Sequence, residues 1–247
     1  MHNHSLPFDN LLLSALGAPE WQRCQPHLER VELARNQSLY EPGETPSHAY
    51  FPTSALISMM HLTETGACAE SAVVGNDGML GVCLLMGGGS TSSCAVVQTA
   101  GDAYRMPARV LRAEFSRAGP VMDLMLRYMQ SLLTQASQRA VCMRHHSVSQ
   151  QVAFCLLQHL DRVSGDDLVM TQEAIAQRLG VRREGVTHCA HHFQKLGLIR
   201  YARGHISVLD RDGLEEHACE CYGVLRDEQL RLLPETHRHG DAVLMAA

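Results

Sequence analysis

Lysine is almost missing from this chain. Lys195 stands alone against twenty arginines in 247 residues, a usage typical of GC-rich bacterial genomes that carries no mechanism. A second absence is sharper. Between Arg35 and Arg105 there is no Lys or Arg, whereas Glu41, Glu44, Glu64, Glu70, Asp77 and Asp102 all fall there. A buried phosphate without a matching guanidinium is poorly compensated, so that stretch is ill suited to holding one. The apolar run Leu11–Leu13 is far too short to cross a bilayer, and no charged segment with a cleavage site precedes it. Nine cysteines, an odd number without regular spacing, read as reduced thiols in a cytoplasmic protein. No GxSxG, P-loop or HExxH arrangement occurs, and no nucleophile stands at a recognisable spacing from a base, so an enzyme is not expected. Short-period repeats and long low-complexity tracts are absent too. The length allows one or two domains with a sizeable core.

The segment Thr171 to Asp210, TQEAIAQRLGVRREGVTHCAHHFQKLGLIRYARGHISVLD, is the most informative text present. Thr171 suits an N-cap, and Glu173 puts negative charge in a first helical turn. Ile175 and Leu179 share one face, Ala176 is small where helices cross, and Gly180 stands where the chain must turn sharply. A second helix is expected from about Arg182 to Lys195, with Val186, Cys189 and Phe193 as its buried stripe and Gly197 ending it. Leu198–Ala202 and His205–Leu209 then read as two strands around Arg203-Gly204. This is the order of a winged helix-turn-helix, whose second helix enters a DNA major groove. From Arg178 to Arg203 six cations (Arg178, Arg182, Arg183, Lys195, Arg200, Arg203) face one anion, Glu184, in a chain of net charge −5. A basic patch on an acidic protein marks where phosphates would sit.

TQEAIAQRLGVRREGVT, the GLI at Gly197–Ile199 and the wing RGHISVLD resemble the DNA-binding domain of the Crp/Fnr family of transcription regulators. The resemblance is strong over the last third of the chain and looser before it. It implies that Arg183 and Glu184 read base edges, with Arg182, Thr187, His188 and Arg203 as further DNA contacts. His188 stands where the cyclic-AMP receptor type carries arginine, and imidazole cannot make the bidentate fork to guanine. Double-stranded DNA, a second copy of the chain, RNA polymerase and an unidentified small-molecule effector are the partners implied, with no membrane.

Residues 8–18 and 20–30 read as short helices. From Ser38 to Met106 strand-like runs alternate with turn residues, as in an all-β roll. LYEPGE, AYFPTSALIS and VVGNDGMLG resemble the effector domain of the same family. That likeness places Asp77, Gly78, Gly81, Val82, Ser92 and Ser93 around the effector pocket. In cyclic-AMP-binding relatives a Gly-Glu pair holds the ribose and an arginine before a serine pairs with the phosphate. Here Val82 follows Gly81 and the arginine is missing, so the usual nucleotide mode is not expected.

Residues 119–145 form the longest helical pattern. Met122, Leu126, Met129, Leu133, Ala136 and Ala140 recur at heptad spacing and read as a dimer seam. Val121, Met125, Tyr128 and Leu132 form a second stripe, suited to packing on the chain's own roll. The bland alternative is one wide face buried within a monomer. Further helices are expected at Ser149–Val163 and from Gly213 to about Leu233.

The fifteen histidines leave haem or a metal open, although no cofactor is named by a motif. His188 and His192 are four apart but lie on the expected DNA face. Cys219-Glu-Cys221 offers half a thiolate site without a second pair at finger-like spacing, and reads as an ordinary helix carrying two thiols. Only Cys24 lies in the N-terminal region where the oxygen-sensing branch ligates its iron–sulfur cluster. His145-His146 read as surface residues of a hinge.

The expected fold is thus α+β: a cyclic-nucleotide-binding-like β-roll with N-terminal helices (residues 1–117), a dimerisation helix (118–147), a winged helix-turn-helix domain (148–233) and a tail (234–247). The alternatives are a haem- or metal-dependent redox or gas sensor of this fold, and an adaptor whose winged helix binds protein. Failure to bind any DNA together with tight capture of a protein would favour the adaptor.

Overall fold

The computed structural model describes residues 9–163 and 165–233; the tail at 234–247 lies outside them. The N-terminal helices are shorter than expected. α1 (Leu11–Ser14) is capped by Asn10, which accepts the Leu13 N–H at 3.2 Å. The Asn10 amide, wholly buried, donates to the carbonyls of Pro52 and Gly78 at 2.8 and 2.9 Å and pins this end to the roll. α2 (Ala18–Cys24) passes into a 3-10 turn at Gln25–His27. Pro26 has no N–H to continue the helical ladder, so the helix expected over residues 20–30 gives way to strand β1 (Glu29–Leu33).

Six more strands complete the roll: β2 (Ser38–Tyr40), β3 (His48–Pro52), β4 (Leu56–Leu62), β5 (Cys68–Val74), β6 (Cys94–Thr99) and β7 (Gly101–Pro107). They form two antiparallel sheets, ordered β1-β7-β3 and β2-β6-β4-β5. Leu33, Tyr40, Ile57, Val74, Leu80 and Val97 fill the space between them. α3 (Ala108–Phe115) leads into α4 (Pro120–His145), whose Pro sits in the first turn where its missing N–H costs nothing.

α4 carries two apolar faces. Val121, Met125 and Tyr128 are buried and Leu132 partly so, in a core shared with α1, α3 and the roll. The Tyr128 hydroxyl donates to the Met79 carbonyl at 2.8 Å. On the other stripe Leu126 and Leu133 are 47 % and 62 % exposed, Ala140 is exposed, and Met122 and Ala136 are half-buried. Met129, expected on that seam, is buried within its own chain.

Ser147 and Gln150 form a capping box that starts α5 (Val148–Leu160), buried continuously from Gln151 to Leu160. After β8 (Asp167–Val169), a strand not foreseen, come α6 (Gln172–Leu179), α7 (Arg183–Lys195), β9 (Ile199–Ala202), β10 (His205–Val208) and α8 (Arg211–Glu216). The three strands make a small sheet ordered β8-β10-β9. α9 (Cys221–Leu232) then runs back along α4, and its end at Leu232–Leu233 enters the core beneath the roll. The single helix expected from Gly213 is broken at His217–Glu220. Cys219 lies within this break and Cys221 opens α9, and both are buried.

Roll, long helix and reader domain meet at Glu70 of β5, which is 2 % exposed. Its carboxylate lies 2.6 Å from Arg139 Nη2 on α4, 3.3 Å from Arg178 Nε on α6 and 3.8 Å from His159 Nε2 on α5, and accepts the Ser58 hydroxyl. Burial alone would raise the Glu70 pKa; the facing Arg139, His159 and Arg178 and the Ser58 hydroxyl more than reverse that and hold it below the usual carboxylate range. Burial pushes His159 the other way, from 6.5 to about 4, despite the attraction of Glu70, so the ring is neutral near pH 7. A His whose folded pKa is depressed takes its proton first in the unfolded chain. Stability is therefore complete above about pH 6.5 and falls as pH drops towards 4, by about 3 kcal/mol for a shift of this size. Urea unfolding at pH 7 and pH 5 should show about 2 kcal/mol of that loss in the wild type and a shallower one in His159→Gln. Equal slopes would remove the ring from the pH response.

Candidate DNA-reading face and the sensor junction

The reader domain is built on local signals. Thr171 accepts the Ala174 N–H at 3.1 Å and caps α6. Gly180 takes φ 63, a left-handed conformation that turns the chain between α6 and α7 and favours glycine. Arg182 is the N-cap of α7, and Arg183 and Glu184 occupy its exposed first turn. Val186, Cys189 and Phe193 are buried on the opposite face. Thr187 is exposed, yet its hydroxyl donates to Gln172 Oε1 at 2.6 Å and lies 3.1 Å from the Arg183 carbonyl, tying α7 to the start of α6. His188 is exposed, and the ring of His192 lies edge-on to His217 at 6.4 Å. In the wing, Arg203 (φ 50) and Gly204 (φ 82) form the tight turn between β9 and β10 and present the Arg203 side chain to solvent.

One cation counted with this face belongs elsewhere. Arg178 is 3 % exposed, paired with Glu70, and its Nη2 donates to Gln98 of the roll. The basic surface is therefore Arg182, Arg183, Lys195, Arg200 and Arg203, all exposed, with Glu184 among them. α6 is used twice: it supports α7 and it docks the reader on β5.

The loop Gly75–Gly78 is also a junction. Asp77 lies 2.8 Å from Arg162 Nη2, beyond the end of α5, and accepts from Gln229 Nε2 of α9 at 2.9 Å. A Cβ on Gly75 would fall 2.8 Å from the Arg162 Cβ, and one on Gly78 would collide with the Tyr128 ring. Asp77 and Gly78, expected beside an effector, thus clasp the long helix and the reader. The other four residues expected near an effector lie in differing surroundings. Gly81 (φ 116) backs onto Ala49, Val82 packs under the roll, Ser92 is exposed, and Ser93 is buried with its hydroxyl 2.9 Å from that of Thr91. A separate open groove of about 540 Å³ runs between Thr45, Leu84, Leu85, Gly87, Gly89 and α3 residues Arg112 and Phe115. Sequence reading missed it, since its walls come from three distant segments.

Residues 30–118 match the cyclic nucleotide-binding domain family, and residues 150–217 match the Crp-like helix-turn-helix domain family. The chain belongs to the Crp/Fnr family. It is a transcription regulator with a helix-turn-helix DNA-binding domain, and not an enzyme. Among solved structures it is similar in fold to FixK2 from Bradyrhizobium japonicum, at 15 % identity and TM-score 0.68 over 78 % of this chain and 98 % of that one. TTHA1359, a Crp/Fnr-family transcriptional regulator from Thermus thermophilus, shares 22 % identity over 77 % and 98 % at TM-score 0.60. The c-di-GMP-responsive global regulator CLP of Xanthomonas campestris shares 15 % over 78 % and 99 % at 0.62. No curated protein sequence matches the chain.

Removing one partner of a buried ion cluster strands the others. Glu70→Ala leaves two buried guanidiniums without a counter-charge, whereas Arg178→Ala leaves Glu70 still paired with Arg139. Glu70→Ala should therefore destabilise the Crp/Fnr chain by about 3–5 kcal/mol in urea titration, and by more than Arg178→Ala. The reverse order would show that Glu70 is not the hub of the junction.

Proposed function

We propose that the chain acts as a homodimer on a palindromic operator, reading each half-site with the first turn of α7 and holding the flanking phosphates with the wing. The observation that carries this reading is the exposure, in one chain, of two surfaces together: the Arg183–Glu184 turn of α7 and the apolar stripe Leu126, Leu133 and Ala140 on α4. An exposed apolar stripe on a long helix calls for a partner, and a second copy supplies the same stripe through a two-fold axis. Two recognition helices then meet half-sites about one helical turn apart. RNA polymerase is the further partner of a regulator of this type, and a cytoplasmic location goes with that role.

Selection from a random duplex pool should enrich an inverted repeat. Arg183→Ala should cost about 1–3 kcal/mol and relax one base position, while Arg203→Ala should weaken all sequences alike and lower the salt slope. Leu133→Asp should yield a monomer in light scattering with much weaker operator binding and an unaltered monomer fold, because Leu133 is 62 % exposed in the single chain. Enrichment of no inverted repeat, or a wild-type monomer at micromolar concentration, overturns the proposal.

The effector of this roll is not cyclic AMP or cyclic GMP. No cation stands between Arg35 and Arg105, Val82 occupies the place of the ribose-binding carboxylate, and Arg105, the next cation, pairs with Glu29 at 2.8 Å. Hydrogen bonds to a charged group contribute about 1.5–3 kcal/mol each, so loss of the phosphate arginine lowers affinity by about one to two orders of magnitude. Calorimetry with either nucleotide at millimolar concentration should be flat; a micromolar isotherm would refute the claim.

A further inference from the structure

Where α4 ends, four side chains from two distant segments converge. Cys142 and His146 are one turn apart on the last turn of α4 and its cap, and so share a face. Cys219 and Cys221 flank Glu220, the N-cap of α9. The Sγ atoms of Cys142, Cys219 and Cys221 and a ring nitrogen of His146 all lie within 4.8 Å of one another. Cys142 Sγ is 3.5 Å from Cys219 Sγ, and Cys221 Sγ is 3.5 Å from His146 Nδ1. The three cysteines are buried, at 1, 5 and 0 % exposure.

Thiols are weak hydrogen-bonding groups, and three of them around an imidazole stabilise one another little. A tetrahedral cation is a different matter. Zinc–sulfur bonds of about 2.3 Å and zinc–nitrogen bonds of about 2.0–2.1 Å set sulfur–sulfur edges near 3.8 Å and sulfur–nitrogen edges near 3.5 Å. The two close contacts match those edges to within a few tenths of an ångström, and the remaining ligand-atom pairs, all within 4.8 Å, need contract by at most about 1 Å to close round an ion.

The surroundings point the same way. His146 turns Nδ1 to the thiols and Nε2 to Glu220 Oε1, at 3.2 Å. A carboxylate on the far nitrogen fixes the tautomer that leaves the near nitrogen free to ligate. Gln138 donates its amide N–H to Cys221 Sγ at 3.3 Å, a contact that spreads thiolate charge. Cys221 opens α9, where unpaired N–H groups and the helix dipole favour a negative sulfur. The Arg211–Asp161–Tyr222 network, with Arg211 Nη2 2.5 Å from Asp161 Oδ1 and 2.6 Å from the Tyr222 hydroxyl, holds the α8–α9 connection in place.

We propose that Cys142, His146, Cys219 and Cys221 form a closed tetrahedral Cys3His site for Zn2+. On binding, three thiol protons leave to solvent and the imidazole enters neutral, keeping its proton on Nε2 and donating it in a hydrogen bond to Glu220. Four protein ligands leave no open position, so the ion is structural rather than catalytic. It clips the end of the long helix to the start of α9, closing the reader domain back onto α4 at the His146–Ser147 bend. The site does not depend on the operator reading above, since its test involves no DNA.

The full-length chain, purified under reducing conditions and dialysed against weak chelator, should hold about one zinc per chain by mass spectrometric metal analysis. Reconstitution with Co2+ should give the intense visible bands of a tetrahedral site and thiolate-to-cobalt charge transfer. Cys221→Ser should lose the ion, and Glu220→Gln, which keeps all four ligands, should weaken Zn2+ binding by about 10–100-fold. Cys83→Ser, outside the cluster, should change nothing. A folded, reduced wild-type chain that takes up neither Zn2+ nor Co2+ overturns the site. So does a Cys142–Cys219 disulfide in the protein isolated without oxidant.

Discussion

Glu70 gives up its water because three separate parts of the chain each bring it a partner. Ser58 comes from the neighbouring strand of the roll, Arg139 from the long helix, and Arg178 and His159 from the reader domain. An isolated carboxylate at this depth would stay protonated or stay wet. The geometry is therefore all-or-none: β5 buries its charge only with α4 and α6 in place. Surface pairs on the same chain do nothing comparable. Arg30–Asp102 and Arg105–Glu29 are short, at 2.7 and 2.8 Å, but their side chains are about a third or more exposed, and such pairs contribute at most about 1 kcal/mol.

A second clasp, Asp77 with Arg162 and Gln229, repeats the logic at the other end of the junction. The two are linked through rigid helices. Arg139 faces Glu70 from α4, while Leu133 on the same helix is exposed. A second copy of the chain seated on the Leu126–Leu133 stripe would grip the opposite side of the helix that neutralises Glu70. Any rotation of α4 that adjusts the one contact disturbs the other, because a helix of 26 residues moves as a body and a buried ion pair tolerates little slack. A signal passed from roll to reader through this helix would therefore switch between two packings rather than deform it continuously.

The parts legible in the sequence are those fixed by neighbours along the chain. The Thr171 cap, the Gly180 turn, the Val186–Cys189–Phe193 stripe and the Arg203-Gly204 wing turn all depend on residues a few positions apart, and each stands where the pattern puts it. What escaped depends on distant partners. Arg178 reads as a DNA cation until Glu70 is seen beside it, and Asp77 reads as a pocket residue until Arg162 is. Nor does alternation along CAESAVV find Glu70: a bulge in β5 sets it opposite Met60, on the face of Ser58 and Val73, rather than with Val74 inside the roll. The cysteine–histidine group shows the same limit. Cys142 and His146 have ligand spacing on a helix, and Cys219 and Cys221 form a second pair, but the separation of 77 positions between Cys142 and Cys219 hides that they meet.

The β-roll is the least conventional part of the molecule, and the reason lies in its side chains rather than its fold. The roll keeps the two-sheet frame of a cyclic nucleotide-binding domain. Inside it, Tyr40 lies beside Ser93, and Leu33, Ile57, Leu80 and Val97 pack round them. Filling by aromatic and aliphatic groups favours apolar contacts and disfavours a desolvated anion. The loop that would approach a phosphate is instead committed, through Asp77 and the close passages of Gly75 and Gly78, to holding the reader domain. The open groove at Arg112 lies on the other side of that commitment, against α3, and Arg112 already donates to the Leu84 carbonyl at 3.1 Å. The buried charges of the roll, Glu70 and Asp77, are thus both spent on the domain junction, and what they grip is the rest of the chain.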